Sequence, residues 1–556
     1  MRAPLLVIGL DGASLDLVRP WVAQGRLPVL ARLMRHGAWG RLRSTVPPAT
    51  FPAWTSMVTG VNPGRHGIFD FSARVPGTYR VRFVNGSHRR APALWTRLSA
   101  AGRRVAVLTV PATYPPEPVA GLMVSGFDSP LATTIDGSFV YPRTLYPEIE
   151  RLVGRLPFAD FQEVETGPGW HAAALARLLD GIARRTTLVR TLLAREHWDA
   201  LMVVFGESDT VAHHFWRFHD PRSPRHAAGP FADAVRRVYE ALDVALGELI
   251  AAAPADAVVA VVSDHGSGGA SDRIVHLNRR LAECGLLSFA CPTPAARLAG
   301  VGRRVALGTV PHRWLGGLVR RLPATASRLE SLHRLGGIDW RRTAAFSEEL
   351  DYHPSVWLNL RGRDPEGTVQ EAEYETARER VARALLEWRD GGRTVVRRVW
   401  RREELYRGPF VSSAPDLLVE LARVDGYTPS CLRSGGPGPA VRRLAPHEYG
   451  GGKGRGMNGS HRRHGLFVLV GPGVRAAGEL PTADIVDVLP TLLALGGAAV
   501  PEGLDGWPIE AAMEAPARLG PDPVPASAGP LVDYDGGEAR DVRARLTALG
   551  YLESDA

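Results

Sequence analysis

Six short apolar runs constrain the fold more than any other feature of this sequence. They stand apart from one another, bounded by polar or glycine residues, at Leu5–Leu10, Val105–Val110, Leu201–Phe205, Ala257–Val262, Leu417–Leu421 and Leu466–Val470. Largely apolar runs of this length are typical of strands buried on both faces. Helical periodicity over 20–36, 172–195 and 231–251 separates several of them. This alternation predicts an α/β fold with a mostly parallel central sheet flanked by helices.

Residues 290–340 interrupt the alternation, because arginines are interspersed there with leucine, valine and tryptophan. We expect a helical cap or insertion, with a basic amphipathic helix on a membrane surface as the alternative. The predicted organisation is therefore a core in two parts, 1–289 and 341–513, with the insertion 290–340 between them. A C-terminal extension, 514–556, follows and begins with a segment rich in proline and alanine.

The charge balance is a poor guide to the partners of this chain. Its 556 residues include 67 basic and 58 acidic side chains, for a formal net charge of +9. Lys453 is the only lysine, which indicates a coding bias toward arginine. The excess charge therefore does not predict a specific nucleic acid partner.

Cysteine usage and hydropathy indicate the compartment. The three cysteines, Cys284, Cys291 and Cys431, lack the paired spacing of a disulfide framework or a cysteine-rich zinc site. The apolar run near the N-terminus is too short for a signal peptide, and no run approaches the roughly 18 residues that span a bilayer. We expect a soluble, cytoplasmic protein.

Aspartate and histidine residues recur beside the predicted strands. Carboxylate and imidazole side chains follow or closely precede four apolar runs: Asp11, Asp209, His213, Asp264, His265 and His461. In open α/β sheets, ligands gather at the carboxyl ends of the strands. Each residue alone has an ordinary explanation as a turn, cap or surface residue. Together they predict a site for zinc or manganese, since both ions bind carboxylate and imidazole.

Thr50 is a candidate nucleophile. It lies between Pro48 and Pro52, just before the helix-like stretch 53–59. A hydroxyl at a helix N-terminus has backbone donors and the positive end of the helix dipole beside it, which suits a phosphate. By position alone, Thr50 is equally well explained as a helix cap.

These residues lie within motifs that identify a family resemblance. The motifs are Gly-Leu-Asp-Gly at 9–12, Thr-Phe-Pro-Ala-Trp…Thr-Gly…Pro-Gly-Arg-His-Gly-Ile at 50–68, Asp209-x-x-x-His213, Ser-Asp-His-Gly at 263–266, Gly-Ser-His at 459–461, Gly-Pro-Gly at 471–473 and the tract 484–506. In this order, they resemble the alkaline phosphatase superfamily, in its type I phosphodiesterase/nucleotide pyrophosphatase branch. The resemblance spans residues 1–510 and implies a hydrolase of phosphoric esters, phosphodiester or phosphomonoester.

The resemblance implies two divalent metal ions, with zinc expected and manganese as the alternative. Asp209, His213 and His461 would hold one ion. Asp11, Asp264 and His265 would hold the other, with the Thr50 oxygen beside it. His214 and His464 are the alternatives if the alignment is shifted. The implied mechanism is attack by Thr50 on phosphorus, a covalent phosphothreonine intermediate and hydrolysis by water.

One departure from the family concerns substrate binding. The family's asparagine that binds a phosphate oxygen is replaced here by Phe71. Asn85 is a candidate replacement donor, and Lys453 and Arg455 are candidates on a glycine-rich loop over the site. The expected partner is a small phosphate ester.

Several alternatives stay open. A degenerate, non-catalytic homologue and an Arg-rich anion-binding protein both retain the fold without the reaction. A phosphonate ester hydrolase would use the same residues. A sulfatase relative is disfavoured, because the Cys/Ser-x-Pro-x-Arg context is replaced by Thr50-Phe-Pro-Ala-Trp. A phosphoglycerate mutase is disfavoured as well, since it uses serine and a dedicated inserted domain.

Overall fold

The computed structural model describes residues 3–126, 137–154, 169–290, 335, 337–349, 353–449 and 457–524. Its strands are, in chain order, β1 Leu5–Leu10, β2 Ala38–Arg43, β3 Ser72–Val75, β4 Arg80–Phe83, β5 Val105–Val110, β6 Gly121–Ser125, β7 Val140–Tyr141, β8 Ala200–Phe205, β9 Val258–Val262, β10 Gly266–Val275, β11 Ala345–Phe346, β12 Ser355–Leu358, β13 Arg389–Asp390, β14 Arg393–Thr394, β15 Val396–Arg401, β16 Leu417–Leu421, β17 Thr428–Cys431, β18 Val441–Arg443, β19 Gly459–Arg462, β20 His464–Val470, β21 Gly478–Asp484, β22 Val500–Pro501 and β23 Leu519–Gly520.

The α-helices among the described residues are α1 Leu15–Ala23, α2 Pro28–His36, α3 Thr50–Thr59, α4 Pro63–His66, α5 Leu94–Ala100, α6 Tyr146–Val153, α7 Trp170–Arg195, α8 Glu207–His219, α9 Ala234–Ala252, α10 Leu277–Glu283, α11 Tyr374–Leu386, α12 Arg402–Leu405 and α13 Val488–Leu495. The single helical pattern predicted over 20–36 is divided between α1 and α2. Gly25, with a φ of 72°, turns the chain between them, and Pro28 begins α2.

The central sheet confirms the predicted fold class. Nine described strands form it in the order β21-β2-β20-β9-β1-β8-β5-β6-β7. The five strands from β9 to β6 run parallel, whereas β20, β2 and β7 introduce antiparallel pairs toward the edges. Because β1, β8 and β9 are parallel neighbours, their carboxyl ends meet at one edge of the sheet. The segments that follow these three strands therefore lie side by side.

Apolar side chains cover both faces of this sheet. In β1, Leu6, Ile8 and Leu10 pack with helices α1, α2, α7, α8 and α9 in one core. Leu5 and Val7 point to the opposite face, where they pack with α3, α5 and α13. Successive residues of a strand alternate between faces, so a strand buried on both sides must be apolar throughout. The continuous apolar runs in the sequence have this origin.

Five of the six apolar runs belong to strands of the central sheet, whereas Leu417–Leu421 does not. This strand, β16, lies in a separate antiparallel sheet ordered β11-β12-β16-β15. Its core contains Leu417, Val419 and Leu421 packed with α10 and α11. A buried strand has the same composition in either type of sheet, so the run alone does not reveal its partners.

A four-stranded sheet lies closer to the central strand ends. In it, β10 pairs with β17 in parallel and with β18 and β19 antiparallel. The pairing with β19 brings the chain near residue 461 alongside the residues that follow β9. The remaining two-stranded sheets are β3-β4, β13-β14 and β22-β23.

Parts of the predicted organisation lie outside the described residues. The insertion 290–340 is described only at its margins, where Phe289 and Ile338 form an antiparallel bridge. Residues 525–556 of the C-terminal extension are likewise not described. No helix within the described ranges has both the length and the apolar character needed to cross a membrane.

Candidate active site

Four segments bring the predicted ligand residues together at the carboxyl edge of the central sheet. Asp11 directly follows β1, and Asp209 and His213 lie one turn apart on α8, which follows β8. Asp264 and His265 follow β9. His461 belongs to β19 and faces Ser267 of β10 across an antiparallel pair.

Asp209, His213 and His461 form the first cluster. The Nε2 atoms of the two histidines lie 3.0 Å apart. Asp209 Oδ1 lies 3.2 Å from His213 Nε2 and 3.5 Å from His461 Nε2. All three side chains are buried, and their donor atoms converge on one point.

Asp11, Asp264 and His265 form the second cluster. His265 Nε2 lies 3.4 Å from Asp11 Oδ1 and 3.3 Å from Asp264 Oδ2. The His265 and His461 rings stack with their centroids 3.7 Å apart, so the two clusters are adjacent. The structure thus brings together the six residues in the two groups that the family resemblance implies.

The three imidazoles are oriented by backbone carbonyls. His213 Nδ1 lies 3.2 Å from Gly459 O, His265 Nδ1 lies 3.1 Å from Gly266 O, and His461 Nδ1 lies 2.6 Å from Pro48 O. Because a carbonyl oxygen only accepts hydrogen bonds, each Nδ1 carries the hydrogen. The Nε2 lone pair of each ring then faces its cluster, as in a metal-ligating histidine.

The electrostatics of the site favour a cation. Burial and the neighbouring Asp264 and Asp209 carboxylates raise the pKa of Asp11 well above its ordinary value. Burial raises the pKa of Asp264 to about 6. Burial also opposes ionisation of Asp209, but His213 and His461 hold the pKa of that carboxyl below its usual range. Three buried carboxylates this close together require positive charge to remain ionised.

The donor atoms fit divalent metal ions. Asp11 Oδ1 and Asp264 Oδ2 are buried and accept no hydrogen bond from the described residues. Buried carboxylate oxygens ordinarily have hydrogen-bond partners, so an oxygen without one calls for another partner. Carboxylate and neutral imidazole are both ligands of zinc and manganese.

Thr50 is the first residue of α3 and is fully buried. Its Oγ1 lies 3.4 Å from His265 Nε2, which places the hydroxyl beside the second cluster. Ala49, the residue before the helix, has extended backbone geometry and makes no side-chain cap. The hydroxyl therefore lies at the positive end of the α3 dipole.

Trp54 supports the second cluster, a role that the sequence pattern does not indicate. Its indole Nε1 donates a hydrogen bond to Asp11 Oδ2 at 3.1 Å. A Cβ at Gly9 would lie 2.4 Å from the Trp54 ring, so only glycine at this position leaves room for the ring. Gly12 has a φ of 68°, and its N–H donates to Asp264 Oδ1 at 3.2 Å. The two glycines of the Gly-Leu-Asp-Gly motif thus help to hold the carboxylates. Gly9 makes room for the Trp54 ring that binds Asp11, and Gly12 donates to Asp264.

The segment 62–67 stabilises α3, the helix that begins with Thr50. Asn62 Oδ1 caps α4 by accepting from Gly64 N, and Gly67 ends α4 in the left-handed conformation. His66 Nδ1 accepts from Ile68 N at 3.2 Å. His66 Nε2 therefore carries the hydrogen and donates to Ser56 Oγ on α3 at 2.9 Å. Burial lowers the pKa of His66 to about 3, which keeps this donor neutral.

The alternative ligands lie outside both clusters. His214 packs against the Trp170 ring at a centroid distance of 5.3 Å. His464 begins β20 and pairs with Arg43 of β2 in the central sheet. Neither side chain belongs to a group of converging donors among the described residues.

Asn85 lies one residue beyond the backbone partner of Phe71, the residue at the position of the missing family asparagine. Val84 N donates to Phe71 O at 2.9 Å, so Val84 is opposite Phe71 and Asn85 follows it. The Phe71 ring in turn contacts Phe51, the neighbour of Thr50, at 4.4 Å between centroids. Asn85 is buried, and its Oδ1 accepts from Ser87 N at 3.0 Å. Lys453 and Arg455 lie outside the described residues.

The family model for type I phosphodiesterase/nucleotide pyrophosphatase matches residues 5–430. The chain belongs to this family. The match confirms the family resemblance that the motifs indicate. It extends through the three metal-ligand segments before residue 430, which contain Asp11, Asp209 with His213, and Asp264 with His265, and it includes Thr50.

Curated relatives match over a short segment. The chain is 38% identical over 68 residues to ectonucleotide pyrophosphatase/phosphodiesterase family member 1 of Homo sapiens and, equally, to that of Rattus norvegicus. These matches cover 12% of this chain and 7% of each relative. The matched segment is therefore a small part of the curated relatives.

Solved structures resemble this chain over most of its length. Phosphonoacetate hydrolase from Sinorhizobium meliloti 1021 superimposes with a TM-score of 0.51 at 17% identity, covering 89% of this chain and 96% of that one. Human ectonucleotide pyrophosphatase/phosphodiesterase 5 has a TM-score of 0.48 at 12% identity, with 92% and 100% covered. The first of these likenesses supports the α/β architecture.

Proposed function

We propose that this chain is a metal-dependent phosphodiesterase that forms a covalent phosphothreonine intermediate on Thr50. The observation that carries the proposal is the placement of the Thr50 hydroxyl, 3.4 Å from His265 Nε2 and beside two converging Asp/His clusters. Helix capping alone does not require two such clusters beside the hydroxyl.

Each cluster would hold one divalent ion. Asp209, His213 and His461 would bind the first, and Asp11, Asp264 and His265 would bind the second. Zinc is the expected ion and manganese the alternative, since both accept this donor set. When bound, such ions supply Lewis-acid stabilisation and lower the pKa of a coordinated hydroxyl or water.

The reaction would proceed in two displacements. The Thr50 oxygen attacks phosphorus in line, forming a new O–P bond while the bond to the leaving alcohol breaks. The Thr50 proton goes to solvent, and the leaving alkoxide is protonated. Water then attacks phosphothreonine and releases the phosphate product, which regenerates the Thr50 hydroxyl. Two inversions give net retention of configuration at phosphorus.

The protein would contribute orientation and electrostatic complementarity. The positive end of the α3 dipole faces the position of the phosphoryl oxygens. Trp54 holds Asp11, and the three backbone carbonyls hold the histidine rings. Asn85 is the proposed donor to a non-bridging phosphate oxygen through its Nδ2, with Lys453 and Arg455 as further candidate contacts.

Substitutions of Thr50 test the proposal. We expect Thr50→Ala to lower kcat for bis-p-nitrophenyl phosphate by about a thousandfold or more, with the metal content unchanged. Thr50→Ser is the matched control, because it keeps a hydroxyl and should retain far more activity. Undiminished hydrolysis by Thr50→Ala would contradict the covalent mechanism. p-Nitrophenyl phosphate and phosphonoacetate, assayed alongside, separate diesterase from monoesterase and phosphonate activity.

A cytoplasmic location is part of the proposal, and the cysteine pattern supports it. The three cysteines lack the paired spacing of a disulfide framework. Proteins without a disulfide framework are typical of reducing compartments. Fractionation of cells that express the native protein tests this point, and recovery in the extracellular fraction would contradict it.

A further inference from the structure

A cavity of about 600 Å³ lies next to the metal-ligand clusters and shares their elements. Helix α8 lines it with Trp216, one turn after His213, and strand β19 lines it with Arg462, next to His461. Strand β10 contributes Ser267, whose Oγ donates to Gly12 O at 2.7 Å. The cavity has the size of a small-molecule site.

The three carboxylates that line the cavity form ion pairs with arginines other than Arg462. Asp16 pairs with Arg41 at 2.7 Å, Asp220 with Arg222 at 3.4 Å, and Asp425 with Arg393 at 3.2 Å. The side chains of Asp16, Arg222 and Asp425 are largely exposed at the rim. Arg462 forms no ion pair with a carboxylate of the described residues; its partners are the Thr428 hydroxyl and the carbonyls of Gly269 and Gly426.

A hydrogen-bond donor in the cavity also lacks an acceptor. Trp216 is 8% exposed, and its indole Nε1 makes no hydrogen bond within the described parts of the chain. Such a donor is costly to bury without a partner. Tyr427 provides a second aromatic wall, and its hydroxyl donates to Asp220 Oδ2 at 2.8 Å.

Glycine at two positions of β10 lets these side chains pack against the strand. A Cβ at Gly268 would lie 2.1 Å from the Arg462 guanidinium. A Cβ at Gly269 would lie 2.6 Å from both Trp216 Nε1 and the Tyr427 ring. The guanidinium and the two rings therefore rest directly on the strand and line the same cavity.

We propose that this cavity binds a small aromatic anion, with its carboxylate or phosphate on the Arg462 guanidinium and the Trp216 indole N–H. The rings of Trp216 and Tyr427 would contact the aromatic part of the ligand. An anion here supplies the charge partner of Arg462 and the acceptor of Trp216 together. The site is separate from Thr50 and does not depend on the proposed reaction.

Calorimetric titration of the metal-loaded protein tests the proposal, with vanadate added to saturate the catalytic centre. The probes are benzoate and adenosine 5′-monophosphate, which separate carboxylate from phosphate recognition. We expect saturable binding of at least one probe. Arg462→Gln and Trp216→Phe should each weaken it about tenfold or more, because each removes a buried or charge-assisted hydrogen bond.

Arg341→Gln is the matched control, since its side chain is 85% exposed and lies outside the cavity, and it should bind the probe as the wild type does. Trp216→Phe keeps an aromatic ring but removes the N–H donor, and residue 216 lies outside both metal-ligand clusters. If Arg462→Gln changes the metal content, the result for Trp216→Phe therefore decides the test. Absence of saturable binding for both probes, or unchanged affinity in Trp216→Phe, would overturn the proposal. Hydrolysis assays measure Thr50 chemistry independently of this result.

Discussion

Acidification should destabilise this protein through His66, a histidine that the fold keeps neutral. His66 is fully buried, and its ring bridges Ser56 Oγ and Ile68 N. Burial lowers its pKa from an ordinary 6.5 to about 3. Between these values the unfolded chain binds a proton that the folded protein excludes, so the free energy of unfolding falls as the pH falls below 6.5.

The size of the effect follows from the pKa difference. At pH 5, the pH is about 1.5 units below the pKa of the unfolded histidine. At about 1.36 kcal/mol per unit, the free energy of unfolding is therefore lowered by about 2 kcal/mol. This figure depends little on the folded pKa, provided that value stays well below 5. The loss would continue toward pH 3, where the folded protein begins to accept the proton.

Urea unfolding at pH 7 and pH 5 measures this contribution when wild type is compared with His66→Gln. Glutamine keeps a donor and an acceptor but does not titrate. We expect His66→Gln to lose about 2 kcal/mol less stability than wild type between the two pH values. His36→Gln, at an exposed position, is the control and should follow the wild type. An equal loss in wild type and His66→Gln would refute the assignment of a neutral, buried His66.

Three further predictions concern the support of the fold and the site. Asp243→Ala should cost about 2–4 kcal/mol in urea unfolding, because its carboxylate accepts from Val29 N and Leu30 N at the start of α2. Glu207→Gln should cost about 3–5 kcal/mol, since its carboxylate makes two bonds of 2.7 and 2.8 Å to the buried Arg185 guanidinium; a smaller loss than about 1 kcal/mol would contradict this. Gly9→Ala should destabilise the protein by about 1–3 kcal/mol and weaken metal retention in dialysis, because its Cβ would displace Trp54 from Asp11. Gly229→Ala is the control for this change, since a Cβ there meets no atom within 4 Å.

Much of the candidate site could be predicted because it lies where strands end. Asp11, Asp264 and His265 directly follow buried parallel strands, and the apolar runs mark those strands in the sequence. Asp209 and His213 follow β8 with helical spacing, so their shared face could be predicted as well.

The rest depends on contacts between distant segments. His461 reaches the site because β19 pairs with β10, a pairing between residues nearly 200 positions apart that no local pattern encodes. In the sequence, Trp54 looks like an ordinary core residue. Only its hydrogen bond to Asp11 in the structure reveals that it supports the site. The apolar sequence of β16 likewise does not specify the sheet to which this strand belongs.

The metal content of the purified protein is the most direct test of the two proposed metal sites. Wild-type protein expressed with zinc and manganese available, then dialysed, should contain about two divalent ions per chain by mass spectrometry. His461→Ala and Asp264→Ala should each lower this number by about one, because each removes a ligand from a different cluster, whereas Thr50→Ala should retain both ions. Wild-type protein that contains no bound metal would contradict the two proposed metal sites. A metal content that neither ligand substitution changes would contradict them as well.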